Sequence, residues 1–346
     1  MQAKTVLFCL TQLIFNFLFQ FTPLTSSAQA PLFKESAFQR LTAQEGAALT
    51  LELDLTELIN NKNTNQYFPG TLTTAEGKVL KMEARARGKY RRKICEMPPL
   101  KLKFSKKELR ATGLDTLNEV KLVVPCSEDP DGEQRVLREY VAYRMFERLS
   151  PESHVRARLV KVAFRDRHVE KLSTPVWCLL VEHEEEVVAR QHSTLVESYN
   201  LPADSLYTEQ VGLNALFQYM IGNTDWNLPS FRNIYLLRPS NGERIRPLPF
   251  DFDFSGFVNA DYATPTSTTG LKNVQERLLM ADGIPQSALL KAAAHIEAAK
   301  EDLLALCAAP FLNKSTSKEM TRYLESYFES VGKELHRQQK AKGSLR

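Results

Sequence analysis

The chain lacks several patterns that would point to a function directly. No Cys-x-x-Cys pair occurs, which argues against a structural zinc site. The six histidines, His154, His168, His183, His192, His295 and His336, show no ligand spacing and read as surface or core residues. No Gly-x-Gly-x-x-Gly run is present, so no phosphate-cradling loop of that kind is encoded. No internal repeat is visible. Net charge is small as well: 45 Lys+Arg against 41 Asp+Glu leave +4, which argues against a dedicated nucleic-acid binder. With 43% hydrophobic and 25% charged residues the composition is globular, which excludes a disordered tail, a collagen-like fibre and a coiled-coil rod. The 346 residues allow one large domain or two modest ones.

The N-terminus reads as an export signal. Lys4 is the first charged residue and Lys34 the next. Val6 to Phe21 is apolar and Phe-rich but broken by Thr11, Gln12, Asn16 and Gln20, which disfavours a membrane-spanning helix. Ser26-Ser27-Ala28-Gln29-Ala30 offers two small-x-small cleavage sites. Pro31 disfavours the cut after Ala30, so cleavage after Ala28 is expected, with no stable membrane anchor left behind. Four cysteines then remain: Cys95, Cys126, Cys178 and Cys307. In an exported chain Cys95 and Cys126 are the better disulfide pair, with separate buried thiols as the alternative.

Periodicity places the elements. Leu49, Leu51, Leu53 and Leu55 alternate with polar residues, a strand pattern. Val79 to Arg87, Leu100 to Phe104, Val120 to Val124, Arg158 to Arg165 and Val176 to Glu182 read as further strands. Glu133 to Leu149 reads as a helix with Leu137, Val141, Met145 and Leu149 four apart. Thr208 to Gly222, Ser287 to Ala308 and Ser317 to Leu335 read as helices, with short strands at Ile234 to Leu237 and around Phe250. The expected class is α+β. The expected division is a signal peptide (1–28), a linker (29–48), a strand-rich N-terminal lobe (49–190) and a mainly helical C-terminal lobe (191–346).

The sharpest motif is Pro249-Phe250-Asp251-Phe252-Asp253-Phe254. In an extended segment the three Phe would face one way and the two Asp the other. Two carboxylates held close need a cation, a shared proton or good solvation, and magnesium prefers such oxygen ligands. Upstream, Asp225 follows a helix and Asn233 leads into a strand. An Asp, then an Asn, then a later Asp is the order used in phosphoryl transfer: the first orients a hydroxyl and the others hold metal. Arg85, Arg87, Lys89, Arg91, Arg92 and Lys93 surround Gly88, and Lys101 and Lys103 share one face of the next strand, a plausible anion cradle. Lys81 to Arg110 holds 12 basic and 3 acidic residues, so the rest of the chain is net acidic despite the near-neutral total.

These residues resemble the CotH-type (spore-coat protein H) atypical kinases. The likeness rests on Arg87-Gly88 followed by Pro98 to Phe104, on Leu137 to Arg144 with Trp177 to Glu182 after it, and on Asp225, Asn233 and the Pro-Phe-Asp-Phe-Asp run. The resemblance implies a bilobal protein-kinase-like fold that uses ATP and Mg2+. By it, Lys103 and Arg87 would contact ATP phosphates, with Glu139, favoured over Glu133, as the helix partner of Lys103. Asp225 would be the catalytic base, Asn233 and Asp251 would hold magnesium, and Asp253 would be an additional carboxylate on the metal or just behind it. Here Asn233 follows Asp225 by eight residues, against about five in kinase-like loops.

The function expected is an exported phosphotransferase acting on a protein or cell-surface polymer, periplasmic, surface-bound or secreted, and not on nucleic acid. A non-catalytic envelope-binding protein is the alternative. A metal-dependent hydrolase using Asp251 and Asp253 is a third reading, lacking further ligands.

Overall fold

The computed structural model describes residues 34–169, 172–198 and 201–343, so the segment at 1–28, expected to direct export, lies outside the described residues. Lys34–Arg346 form one compact unit.

The first half is built on seven strands: β1 (Ala47–Leu53), β2 (Phe68–Thr73), β3 (Val79–Ala86), β4 (Leu100–Phe104), β5 (Glu119–Val123), β6 (Ala157–Asp166) and β7 (Val176–Glu182). They close into a barrel in the order β1-β2-β3-β4-β5-β7-β6. All pairings are antiparallel except the closing one, where β1 runs parallel to β6 from Ala47↔Val160 to Leu53↔Asp166. Alternation decides which side chains enter the barrel. Leu51, Leu53, Leu72, Met82, Ala84, Leu100, Leu102, Phe104, Val120 and Leu122 are buried in one core. Helix α1 (Ala37–Leu41), within the expected linker, adds Phe38 and Leu41 to that core. Ser36 starts α1 with a reciprocal cap to Gln39. Beyond it come α2 (Leu55–Asn60), α3 (Arg91–Ile94) and α4 (Lys106–Ala111).

Helix α5 (Pro130–Leu149) begins at Asp129, whose side chain accepts from the Asp131 N–H, and carries Pro130 in its first turn. It is buried on more sides than its four-residue seam. Val141 and Met145 share a second core with Leu159, Leu179 and Val181 of the barrel, and Phe146 meets Phe217 of α7 (Thr208–Ile221) edge-on at 4.8 Å. That core continues through α8 (Gln286–Ala298), α9 (Lys300–Cys307) and α10 (Lys314–Gly343). A small sheet, β10 (Arg246–Pro249), β9 (Ile234–Pro239) and β8 (Ser193–Leu195), stands beside them, and α6 (Glu184–Arg190) links it to the barrel.

The α+β class stands, with ten α-helices among the described residues, but the bilobal kinase-like fold does not. The strand-rich part is a closed mixed barrel, and the parallel β1–β6 pairing that closes it contradicts an N-terminal kinase lobe. Alternation in the sequence shows that Leu49 to Leu53 is a strand but not which strand it pairs with, and this pairing decides the architecture.

Phe250 to Phe254, expected to be extended, are not. Strand β10 stops at Pro249, and Asp251 adopts a left-handed φ of +64°. The three rings therefore find separate neighbours. Phe250 stacks on Tyr235 at 4.1 Å, Phe252 sits between Tyr143 and Phe217, and Phe254 meets Tyr90 edge-on at 5.5 Å.

The cysteines pair as Cys95–Cys126, while Cys178 and Cys307 are free and buried. Among the described residues no helix is long and apolar enough to cross a membrane.

Candidate functional site

Asp225 and Asn233 flank a small hairpin. Helix α7 ends at Gly222, which takes the left-handed conformation that favours glycine. A Cβ there would stand 2.0 Å from the Tyr323 hydroxyl, so this turn needs glycine for space as well. Gly256 packs onto the same turn, its N–H donating to the Gly222 carbonyl at 3.1 Å. Asn227 and Arg232 then bond backbone to backbone in both directions, at 3.1 and 3.0 Å. That bridge absorbs the long Asp-to-Asn spacing. The Asn233 side-chain amide donates to the Asp225 carbonyl at 2.7 Å and to its carboxylate at 3.1 Å. Both bonds use the nitrogen, which leaves the Asn233 amide oxygen for a ligand.

The neighbouring loop brings in Asp251 and Asp253. Asp251 is fixed by its N–H donating to the Tyr143 hydroxyl of α5 at 2.9 Å, and Phe250 donates to the Asn233 carbonyl at 3.0 Å. A left-handed φ at a residue other than glycine costs roughly 1–3 kcal/mol and persists where the surroundings hold it, as here. Asp253 is buried and accepts from the Tyr262 hydroxyl at 3.1 Å. Burial and the nearby Asp251 push its carboxyl up to about 7. Burial also raises Asp225, and the charge of Asp251 adds to that against the opposing Arg232. The three aspartates therefore interact electrostatically.

Glu139 of α5 is buried in the same region, 3.8 Å from the guanidinium of Arg91. Burial and Asp253 raise its carboxyl well above the usual range. Its cation is thus Arg91 from α3, where Lys103 was the expected partner. Arg91 also stands 3.9 Å from Asp253 and donates to the Val124 carbonyl at 2.7 Å.

Lys103 lies on the outer face of β4, 5.4 Å above the Tyr67 ring. It lines an open groove of about 870 Å³ with Lys81, Glu83, Glu119 and Glu185. The lysine beside the carboxylates is Lys121 of β5. Cross-strand pairing sets Lys121 opposite Lys101 and Lys103 opposite Glu119, so Lys103 is one step along the same face. Lys121 contacts the Tyr235 hydroxyl and pairs with Glu184 at 2.9 Å. Burial and the charge of Arg87 depress its ammonium to about 8, against the pull of Glu184 and Asp251. Arg87, at the end of β3, also acts electrostatically on Glu139, Tyr143 and Tyr235, so it belongs to the cluster.

The structure therefore brings together Asp225, Asn233, Asp251, Asp253, Glu139 and Arg87, and sets Lys103 farther along the wall. Sequence reasoning missed Lys121, and it saw Arg91 only as one cation in a run. The available signal for Lys121 was a lone lysine between Val120 and Leu122, in the strand just before α5.

The donor set suits a hard divalent cation: carboxylates and the free amide oxygen of Asn233. The carboxylates are spread, however. Among the described residues, the His, Cys, Asp or Glu groups that bring three ligand atoms within 4.8 Å of one another are Asp54, Asp166 and His168, at the barrel rim. Those three already have structural work. Asp54 caps α2, Asp166 accepts from Thr56, and His168 pairs with Asp54 at 2.7 Å.

No known family's profile matches the chain, and no curated protein is significantly similar to it. Among solved structures, the proinflammatory kinase CtkA of Helicobacter pylori is similar over 60% of this chain and 85% of its own. At 13% identity and a TM-score of 0.36, that likeness carries no argument about this chain.

Proposed function

We propose that this protein is a magnesium- and nucleotide-dependent phosphotransferase, exported by the segment at 1–28, acting on a protein or cell-surface polymer. The observation that carries the reading is the cluster of Asp225, Asn233 and Asp251 facing the cations Lys121 and Arg87. The CotH-type resemblance rests on sequence motifs alone and agrees with it.

Each residue has a part. Asp225, its carboxylate oriented by Asn233, is placed to accept a proton from an acceptor hydroxyl. Burial raises its basicity, which suits that task. Lys121 and Arg87 supply positive charge where a polyphosphate would lie, with Lys101 and Lys103 extending the basic face. Asp251, Asp253 and the Asn233 amide oxygen are the residues that would hold magnesium. The ion, when bound, neutralises charge on phosphoryl oxygens.

The test is a thermal shift of the chain from Gln29 onward with ATP, with and without Mg2+. Stabilisation that needs both and disappears in Asp251→Ala supports the reading. No shift with any nucleotide would sink it. A non-catalytic binding protein is the second reading, favoured by the engagement of Lys121 with Glu184 and Tyr235. Under it, nucleotide binds but Asp225→Asn changes no phosphoryl transfer.

A further inference from the structure

We infer that Arg91 stands in for a second cation, so that the carboxylate cluster takes one divalent ion and not two. The inference rests on the metal-dependent reading above and deepens it.

Four carboxylates converge electrostatically here: Asp225, Asp251, Asp253 and Glu139. Anions at such density in a buried place need compensation. Two of them already have it. The Arg91 guanidinium reaches Glu139 at 3.8 Å and Asp253 at 3.9 Å. It is buried, it lies 5.7 Å from the centre of the Tyr262 ring, and Tyr262 in turn donates to Asp253. An arginine stays charged at any working pH, so this compensation is permanent.

Arg91 is also unable to swing away easily. Its guanidinium donates to the Val124 carbonyl at 2.7 Å. Its own carbonyl accepts from Cys95 at 2.9 Å, and Cys95 is bonded to Cys126, whose carbonyl accepts from Glu96 at 3.0 Å. The disulfide thus holds α3 against the end of β5 and the start of α5.

Space gives the same answer. The cavity bounded by Arg91, Arg135, Glu139, Tyr262 and Cys126 is about 10 Å³. That is at most one water. A magnesium ion keeps several waters and does not fit there. Glu139 Oε1 and Arg91 Nε are buried without a partner, and both residues line this space, which has room for one water. Asp251, Asp253 and the Asn233 amide oxygen lie outside this cavity's lining and remain for the one metal ion.

The experiment counts bound Mn2+ by electron paramagnetic resonance and calorimetry, on the chain from Gln29 onward. A His168→Ala background keeps the barrel-rim residues from contributing. With Arg91 intact the count is one, and it stays one in Arg91→Lys. In Arg91→Met it rises to two. Two ions with Arg91 intact, or one in Arg91→Met, overturns the inference while leaving metal dependence standing. No ion in any form removes both. Glu139→Gln is the second variant, independent of whether Arg91→Met folds. As the partner of Arg91, its loss changes Mn2+ affinity less than threefold. A tenfold fall would make Glu139 a metal ligand and refute the argument.

Discussion

Replacing Cys95 and Cys126 together by alanine removes a cross-link between residues 31 apart in sequence. The loop so closed contains β4, α4 and β5, and with them Lys101, Lys103 and Lys121. In the chain-entropy account, opening a loop of that length lowers stability by about 3.7 kcal/mol, through greater freedom of the unfolded chain. With a urea m-value of about 3 kcal/mol/M, the unfolding midpoint falls by roughly 1.2 M at unchanged slope. The assay is urea denaturation of the oxidised protein, the double variant and the reduced protein, on a chain starting at Gln29. Thiol labelling provides the control. Cys178 and Cys307 are buried, and burial pushes the Cys307 thiol up to about 12, so the native oxidised protein takes up no label. After reduction frees both thiols, Cys126 takes up label before Cys95, because Cys126 is half-buried and Cys95 fully buried. A stability loss below about 1 kcal/mol would refute the reasoning, since the bond would then constrain little that the fold does not already hold.

Four further outcomes follow from the contacts described above. Lys121→Met weakens nucleotide binding tenfold or more while Lys103→Met weakens it less. In the parent, affinity declines from pH 7 to pH 9 as the Lys121 ammonium, held at about 8, loses its proton; calorimetry across that range decides it. Burial pushes Glu186 up to about 7, so the fold keeps a proton that the unfolded chain releases above its ordinary 4.5. Stability therefore falls between pH 4.5 and 7, and Glu186→Gln removes the fall, gaining up to about 3 kcal/mol at pH 8 and nothing at pH 4. Phe252→Ala, removing a fully buried ring between Tyr143 and Phe217, costs about 3–5 kcal/mol in chemical denaturation.

Local pattern carried much of the fold. The alternation of Leu100, Leu102 and Phe104 and the seam of Leu137, Val141 and Met145 correspond to β4 and α5. What local pattern does not carry is pairing over long separations, and the parallel β1–β6 match is of that kind. Strand β2 also escaped notice, because Phe68 to Thr73 includes Pro69 and Gly70, residues that weaken a strand reading. In the site, the aspartates and Asn233 were legible as motifs. The conformation of Asp251 was not, because its left-handed φ depends on Tyr143, far away in sequence. Nor was the choice between lysines. Lys103 and Lys121 have similar neighbours in sequence, and the distinction arises when Tyr235 and Glu184 pack against one of them.

The closure of the barrel also sets the order of its assembly. Strands β2 to β5 join neighbours close in sequence and can pair as hairpin-like units. Strand β1 has to wait for β6, which is made only after α5. Until then the β1 edge offers unpaired N–H and C=O groups to any other strand it meets. Contacts of such high sequence separation slow folding and prolong that exposure. The last step of folding is thus the removal of both sheet edges at once, and a chain halted before β6 emerges is left as an open sheet with a strong tendency to associate.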